Sequence, residues 1–143
     1  MAIPDRLEQI ITQYNSVPKQ VKLQLLLEYG KKVPALPERW QNARNKMEQV
    51  HECQTPFFLA VELADDRTIE FFFDASAEAP TIFGFAGILS EGLNGLPADE
   101  ILAVPDDFYT KLGLAEVISP LRLRGISAVM RRLKGQIQAH LEA

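Results

Sequence analysis

Cysteine and histidine are the scarcest chemically reactive residues in this chain of 143 residues. Cys53 is the only cysteine, and His51 and His140 are the only histidines. A single thiol cannot form an internal disulfide, so the chain suits a reducing compartment such as the cytosol or an organelle stroma, and we assign it to the cytoplasm. Three such residues cannot supply a complete zinc or iron–sulfur ligand set by themselves, so we expect no metal site.

A surplus of positive charge is also lacking, because the formal net charge is −4. Proteins that bind nucleic acids usually carry a basic surplus that neutralises phosphates, so we expect no nucleic-acid partner. Residues 1–5 do not begin a signal peptide, and the apolar stretch from Thr81 to Leu89 is too short to cross a bilayer. We therefore expect no membrane association and a single domain over residues 1–143.

Helical periodicity marks both ends of the chain. Apolar residues recur at spacings of three and four after Pro4, after Pro18, after Pro80 and after Pro120, which predicts four main helices. They end near Asn15, Gly30, Leu93 and Leu141. The buried face predicted for the second comprises Val21, Leu25, Leu26 and Tyr29, and that of the last comprises Ile126, Val129, Met130, Leu133, Ile137 and Leu141. Arg131, Arg132 and Lys134 fall on other faces of the last helix and are predicted to be solvated.

The middle of the chain changes from helical to strand periodicity. Residues 38–49 are compatible with a helix, and we expect Trp40 to anchor it in the core. Residues 57–64 and 68–73 are typical of strands, and Asp65 to Arg67 between them predicts the turn of an antiparallel hairpin. Residues 48–51 can form a third, shorter strand. The sequence thus predicts an α+β fold, with a small antiparallel sheet of about three strands packed by helices on one side.

Cys53 is the candidate reactive residue, since a thiolate is the strongest nucleophile among ordinary side chains. It falls at the bend between the short strand and the hairpin, just before Pro56, which interrupts regular strand pairing. A lone cysteine can equally be a small buried apolar residue without chemistry. The residues by themselves leave both interpretations open.

The segments around Cys53 and at the start of the last helix resemble the SufE family of sulfur acceptors for cysteine desulfurases. The family pattern Val-x-Gly-Cys-x-Ser-x-Val-Trp is matched by Val50 and Cys53, with Thr55, Phe57 and Phe58 at the remaining fixed positions after the cysteine. A second family segment, Thr/Ser-Pro-x-Arg-x-x-Gly-(Leu)-x-x-Met, is similar to Ser119-Pro120-Leu121-Arg122 with Gly125, Ile126 and Met130. The resemblance covers about residues 20–140 and implies the fold that the SufE and NifU types share.

The resemblance implies a sulfur acceptor and activator of a SufS-like cysteine desulfurase. Cys53 would take persulfide sulfur from that enzyme and relay it to an iron–sulfur scaffold. Arg122 matches the family arginine, which could stabilise the thiolate or persulfide anion or anchor the loop, and His51 is a weaker candidate for a base. The chain would carry no cofactor of its own, because the pyridoxal phosphate belongs to the desulfurase.

Glu52 departs from the family pattern, which has glycine before the cysteine. A neighbouring carboxylate should raise the pKa of the thiol and slow its attack. This departure keeps open a regulator that docks on a desulfurase without carrying sulfur. A cysteine hydrolase that pairs Cys53 with His51 or His140 is a further alternative, whereas a NifU-type cluster scaffold is disfavoured because its ligand cysteines are missing.

Overall fold

The computed structural model describes residues 3–53, 55–75 and 79–143. The helices in these ranges are α1 (Asp5–Asn15), α2 (Lys19–Gly30), α3 (Glu38–Gln41), α4 (Pro80–Leu93), α5 (Ala98–Leu102) and α6 (Pro120–Glu142). The strands are β1 (Glu48–Gln49), β2 (Phe57–Leu63) and β3 (Ile69–Ala75), and short 3-10 helices cover Arg44–Lys46, Phe108–Leu112 and Leu114–Glu116. This order confirms the predicted α+β fold, and α1, α2, α4 and α6 lie close to their predicted bounds.

The strands of the described sheet are antiparallel, in the order β1-β2-β3. β2 and β3 pair along their full length, from Phe57 opposite Ala75 to Leu63 opposite Ile69. In the turn between them, Oδ1 of Asp66 accepts hydrogen bonds from the backbone N–H and the hydroxyl of the residue two positions later. The predicted hairpin and its turn are therefore confirmed.

β1 is shorter than predicted, because only Glu48 and Gln49 pair with β2. The next residue, Val50, still donates its N–H to the carbonyl of Phe57 at 2.8 Å, but its own carbonyl accepts the N–H of Cys53 at 3.1 Å. This local bond turns the chain away from the sheet. The turn places Cys53 outside the strands, in the connection between β1 and β2.

One face of the sheet forms the core together with the long helices. The buried side chains on this face alternate along both long strands, as a half-buried sheet requires. They include Phe57, Leu59, Val61, Ile69, Phe71 and Phe73, in one cluster with buried residues of α1, α2, α4 and α6. The position of the long helices agrees with the prediction.

The opposite face of the sheet carries the segment that contains α3. The Arg39 guanidinium lies 5.4 Å from the centre of the Phe72 ring and binds both carboxylate oxygens of Glu62 at 2.7 Å. The Trp40 indole N–H donates to the same carboxylate at 3.0 Å. Trp40 is half-buried on this outer face, so its predicted place in the core is wrong. The segment thus supplies hydrogen-bond donors to the Glu62 carboxylate of the sheet. The helix predicted over residues 38–49 is shorter than expected, because α3 ends at Gln41.

α2 and α4 cross at close range because α4 has glycines at the contact. A β-carbon at Gly87 would overlap the backbone carbonyl oxygen of Tyr29, and one at Gly84 would overlap that of Leu26. This confirms that the two glycines permit close packing. The predicted face of α2 is only partly right, since Val21 is 36% exposed. Lys22 is buried instead, because its ammonium donates to the Tyr14 carbonyl at 2.9 Å beside the end of α1.

The outer edge of β3 is closed by the segment after α4. The side chain of Asn94 accepts a hydrogen bond from the Phe71 N–H at 3.0 Å and donates one to the Phe71 carbonyl at 3.3 Å. The N–H of Gly95 donates to the Ile69 carbonyl at 2.8 Å, with a φ of 88° that suits glycine. These bonds replace a fourth strand and protect the edge from pairing with other chains.

α6 begins as predicted, with Ser119 as its N-cap and Pro120 in its first turn. The Ser119 hydroxyl oxygen accepts the Arg122 backbone N–H at 3.4 Å. From there the helix runs to Glu142 and buries its predicted apolar face, apart from Leu141, which is half-buried. Within the described ranges, none of the helices is both long and apolar enough to cross a membrane.

Candidate active site around Cys53

Cys53 lies half-buried between the connection that follows β1 and the first turns of α6. Gly125 of α6 lies against it, since a β-carbon built on that glycine would lie 3.2 Å from the Cys53 sulfur. Any larger residue at position 125 would push against the thiol. The glycine thus allows the connection to rest directly on the helix backbone.

A cavity of about 60 Å³ lies beside Cys53. Three parts of the chain line it, and all are held by elements of the fold. They are the connection itself, the start of α4 with Thr81 and Ile82, and the first turns of α6 with Leu121, Arg122 and Ile126. The lining is largely apolar, so the cavity is a small, partly open apolar space next to a potential nucleophile.

Arg122 lies at this cavity, as the prediction for the site required. Its guanidinium Nη1 donates to the hydroxyl of Thr81 at 2.9 Å, and the side chain is exposed. The bond joins the start of α6 to the start of α4 across the cavity. Arg122 therefore combines a fixed position with a positive charge that faces solvent beside the site. Its predicted role as anion stabiliser or loop anchor stays a prediction.

The two histidines are placed differently. His51 is exposed and is not among the residues that line the cavity in the described ranges. His140 lies near the far end of α6, beside Glu62 and Glu70 of the sheet. Fifteen helical residues separate it from Gly125, or about 22 Å at 1.5 Å per residue. The interpretation that pairs Cys53 with His140 in a hydrolase is therefore wrong, and the role of His51 as a base stays a prediction.

The thiol is held in its protonated form. Burial first, and the carboxylate of Glu52 second, raise the pKa of Cys53 to about 11, while the guanidinium of Arg132 opposes this rise. The predicted effect of Glu52 on the thiol pKa has the correct sign, but burial is the larger cause. The free protein at neutral pH thus presents a thiol rather than a thiolate.

Sequence reasoning missed Arg132 as part of this site. Its Nε donates to Glu52 at 2.9 Å and its Nη1 donates to Glu48 at 2.6 Å. These bonds hold the pKa of Glu52 below its usual range. The signal was present, because Arg132 follows Gly125 by seven residues and so lies on the same helix face. The prediction that this arginine is merely solvated is wrong.

Comparison with known proteins decides the family. The model of the family described as "SufE: Fe-S metabolism associated domain" matches residues 8–137. The chain belongs to the SufE family. The predicted resemblance is therefore confirmed, and it places the chain in iron–sulfur metabolism.

Individual SufE relatives agree with this assignment. An uncharacterized SufE-like protein of Mycobacterium tuberculosis is 49% identical over 137 residues, covering 96% of this chain and 94% of that protein. The cysteine desulfuration protein SufE of Plasmodium falciparum is 26% identical over 133 residues, covering 90% of this chain and 52% of that protein. A hypothetical protein from Thermus thermophilus, solved in solution, matches with a TM-score of 0.86 at 40% identity over 99% of both chains.

Proposed function

We propose that this protein accepts sulfur on Cys53 from a cysteine desulfurase and relays it to iron–sulfur cluster assembly. The Cys53 thiolate attacks the outer sulfur of a persulfide on the desulfurase. A new sulfur–sulfur bond forms at Cys53, the bond to the donor cysteine breaks, and the donor cysteine leaves as a thiolate. No electrons are gained or lost overall. The pyridoxal phosphate that generates the persulfide resides on the partner, and this chain contributes the accepting thiol.

The observation that carries this proposal is the small cavity next to the Cys53 sulfur in a SufE-family chain. Its volume of about 60 Å³ leaves room for one additional sulfur atom beside the thiol. The walls of the cavity would limit the approach of solvent thiols, which otherwise remove the outer sulfur of a persulfide. The Arg122 guanidinium at the same cavity supplies a positive charge near the anion.

An exposed apolar surface adjoins the cavity and suits the docking of the desulfurase. Leu23 and Leu27 on α2 are 39% and 41% exposed, and Leu121 on α6 is 43% exposed. Leu23 and Leu27 line a groove that shares Thr81 and Arg122 with the Cys53 cavity. A donor that approaches Cys53 past Arg122 would meet this surface, because the groove and the cavity share Thr81 and Arg122. We call Leu23, Leu27 and Leu121 the docking patch.

Intact mass spectrometry tests the carrier function directly. The protein is incubated with an active cysteine desulfurase and cysteine, next to a Cys53→Ser variant. We expect a mass gain of one or more sulfur atoms that reductant removes and that the variant lacks. Absence of any gain, while the desulfurase releases sulfide in the same tube, would contradict the proposal.

A docking regulator that carries no sulfur is the second candidate, and the raised pKa of Cys53 favours it. The two candidates differ in what the thiol is needed for. If the protein stimulates the desulfurase by transfer, Cys53→Ser abolishes stimulation. If it stimulates by docking alone, the variant stimulates as well as the wild-type chain.

The docking patch is tested by charge insertion. Leu27→Asp should weaken binding to the desulfurase by about 10-fold or more, because burial of a leucine side chain is worth about 1.5–3 kcal/mol. Val21→Asp is the matched control, since Val21 is also on α2 and 36% exposed but does not line the groove. Equal binding by both variants would place the interface elsewhere.

A further inference from the structure

One guanidinium ties the Cys53 connection to α6 at two points. Arg132 binds Glu48, in β1 before the turn, at 2.6 Å and Glu52, directly before Cys53, at 2.9 Å. Glu48 also accepts a hydrogen bond from the amide of Gln136, one turn further along α6, at 3.0 Å. The Arg132 side chain is 26% exposed, so the ion pairs are partly shielded from water.

This arrangement gives a structural role to Glu52, the residue that departs from the family pattern. Where the pattern has glycine, this chain has a carboxylate next to the thiol, and Arg132 holds that carboxylate. Backbone bonds also shape the connection: the Cys53 N–H donates to Val50, and the Val50 N–H donates to β2. Neither of these bonds reaches α6. In the described ranges, the polar side-chain ties from residues 48–53 to α6 are those of Glu48 and Glu52.

We propose that Arg132 is a positioning residue for Cys53, because its forked contact with Glu48 and Glu52 keeps the thiol seated against Gly125. Release of Glu52 lets the connection lift from α6 and presents the thiol to a sulfur donor. The proposal rests on the carrier function for its biological meaning, but the seating of the loop exists with or without a donor. We call the three residues Glu48, Glu52 and Arg132 the clamp.

The two sides of the clamp act on the thiol in opposite electrostatic directions. Glu52 raises the thiol pKa and Arg132 lowers it. Loss of either side chain opens the clamp, but loss of Glu52 also favours the thiolate, whereas loss of Arg132 disfavours it. Glu52→Gln and Arg132→Gln should therefore agree in loop opening and differ in thiol reactivity. A role limited to general stability cannot produce this pattern.

Hydrogen exchange with mass spectrometry measures opening without reference to the thiol charge. In Arg132→Gln and Glu52→Gln, we expect the amides of residues 50–53 to exchange about 3- to 10-fold faster, while the core strands keep their protection. Arg131→Gln is the matched control, because Arg131 is the exposed neighbour and makes no hydrogen bond to Glu48 or Glu52 in the described structure. It should exchange like the wild-type chain.

Alkylation of Cys53 by iodoacetamide at a fixed pH supplies the second readout. We expect Glu52→Gln to react faster than Arg132→Gln. Both variants expose the thiol by opening the loop, but only Glu52→Gln also favours its ionisation to the thiolate. Arg132→Lys should fall between wild type and Arg132→Gln in exchange, because a lysine retains the charge but cannot bind two carboxylates as a fork. This variant also keeps the test decisive if Arg132→Gln folds poorly.

Unchanged exchange at residues 50–53 in both glutamine variants would overturn the proposal. So would faster exchange throughout the chain, since it would show a general loss of stability, and so would equal alkylation rates in the two variants. These measurements need no desulfurase. If the wild-type chain takes up no sulfur in the mass assay, the carrier function fails while the result on the clamp stands.

Discussion

Gly125→Ala isolates the contact that seats Cys53 on α6. An alanine β-carbon would lie 3.2 Å from the Cys53 sulfur and 3.7 Å from its α-carbon. Ordinary contacts begin near 3.4 Å, so one partner must move by a few tenths of an ångström. The helix is fixed by its buried face, whereas the Cys53 connection is half-buried and turns outside the sheet. We therefore expect the thiol to move outward.

The expected effect on stability has two opposing parts. Replacing glycine by alanine inside a helix stabilises by about 1 kcal/mol, and overpacking destabilises by about 1–3 kcal/mol. The net change for Gly125→Ala should lie between about zero and 2 kcal/mol of destabilisation. Gly135→Ala in the same helix is the matched control, because a β-carbon there meets no atom within 4 Å. Gly135→Ala should gain only the stabilisation of about 1 kcal/mol from the better helix propensity of alanine, which corresponds to a rise of about 3 °C in Tm.

The assay combines thermal unfolding with alkylation of Cys53. We expect Gly125→Ala to unfold at a lower temperature than Gly135→Ala and to react several-fold faster with iodoacetamide, because the displaced thiol is more accessible and less buried. If both variants gain the same stability and Cys53 reactivity is unchanged, the thiol does not rest on Gly125 and the reasoning is refuted.

Three further outcomes follow from the structure. Gly87→Ala should destabilise the protein by about 3 kcal/mol or more in denaturant unfolding, because its β-carbon would overlap the backbone oxygen of Tyr29 and force α2 and α4 apart. A neutral result would contradict the close crossing of these two helices. Asn94→Ala should destabilise the protein by about 1–3 kcal/mol in the same assay, since the N–H and the carbonyl of Phe71 lose their hydrogen bonds to the Asn94 side chain. Wild-type stability would instead show that water replaces these hydrogen bonds. Because the pKa of Cys53 is raised from 9.0 to about 11, alkylation of Cys53 near pH 8 should be about 100-fold slower than in the unfolded chain. The alkylation rate should rise with pH until about pH 11, and a plateau near pH 9 would refute the raised pKa.

The same pKa shift predicts how stability depends on pH. The folded chain retains the proton of Cys53 in the range where the unfolded chain loses it, so this group favours folding below pH 9.0. That contribution falls as the pH rises from 9.0 towards about 11. Cys53→Ser should therefore lose less stability over this range than the wild-type chain.

The sequence by itself determined the elements whose signals are local. The spacing of apolar residues sets the faces of α1 and α6, the N-cap Ser119 with Pro120 fixes where α6 begins, and the alternation in β2 and β3 fixes the hairpin. The Cys53 and Arg122 segments were sufficient to indicate the family. Each of these features depends on neighbours a few residues apart.

Only the tertiary structure decided which distant residues meet. Arg132 is eighty positions from Glu52 along the chain, and their pairing arises because α6 packs beneath the Cys53 connection. Trp40 lies on the outer face of the sheet because its indole N–H finds Glu62 there, a choice that apolar content cannot predict. The thiol pKa likewise depends chiefly on burial, and burial belongs to the packed fold rather than to any short segment.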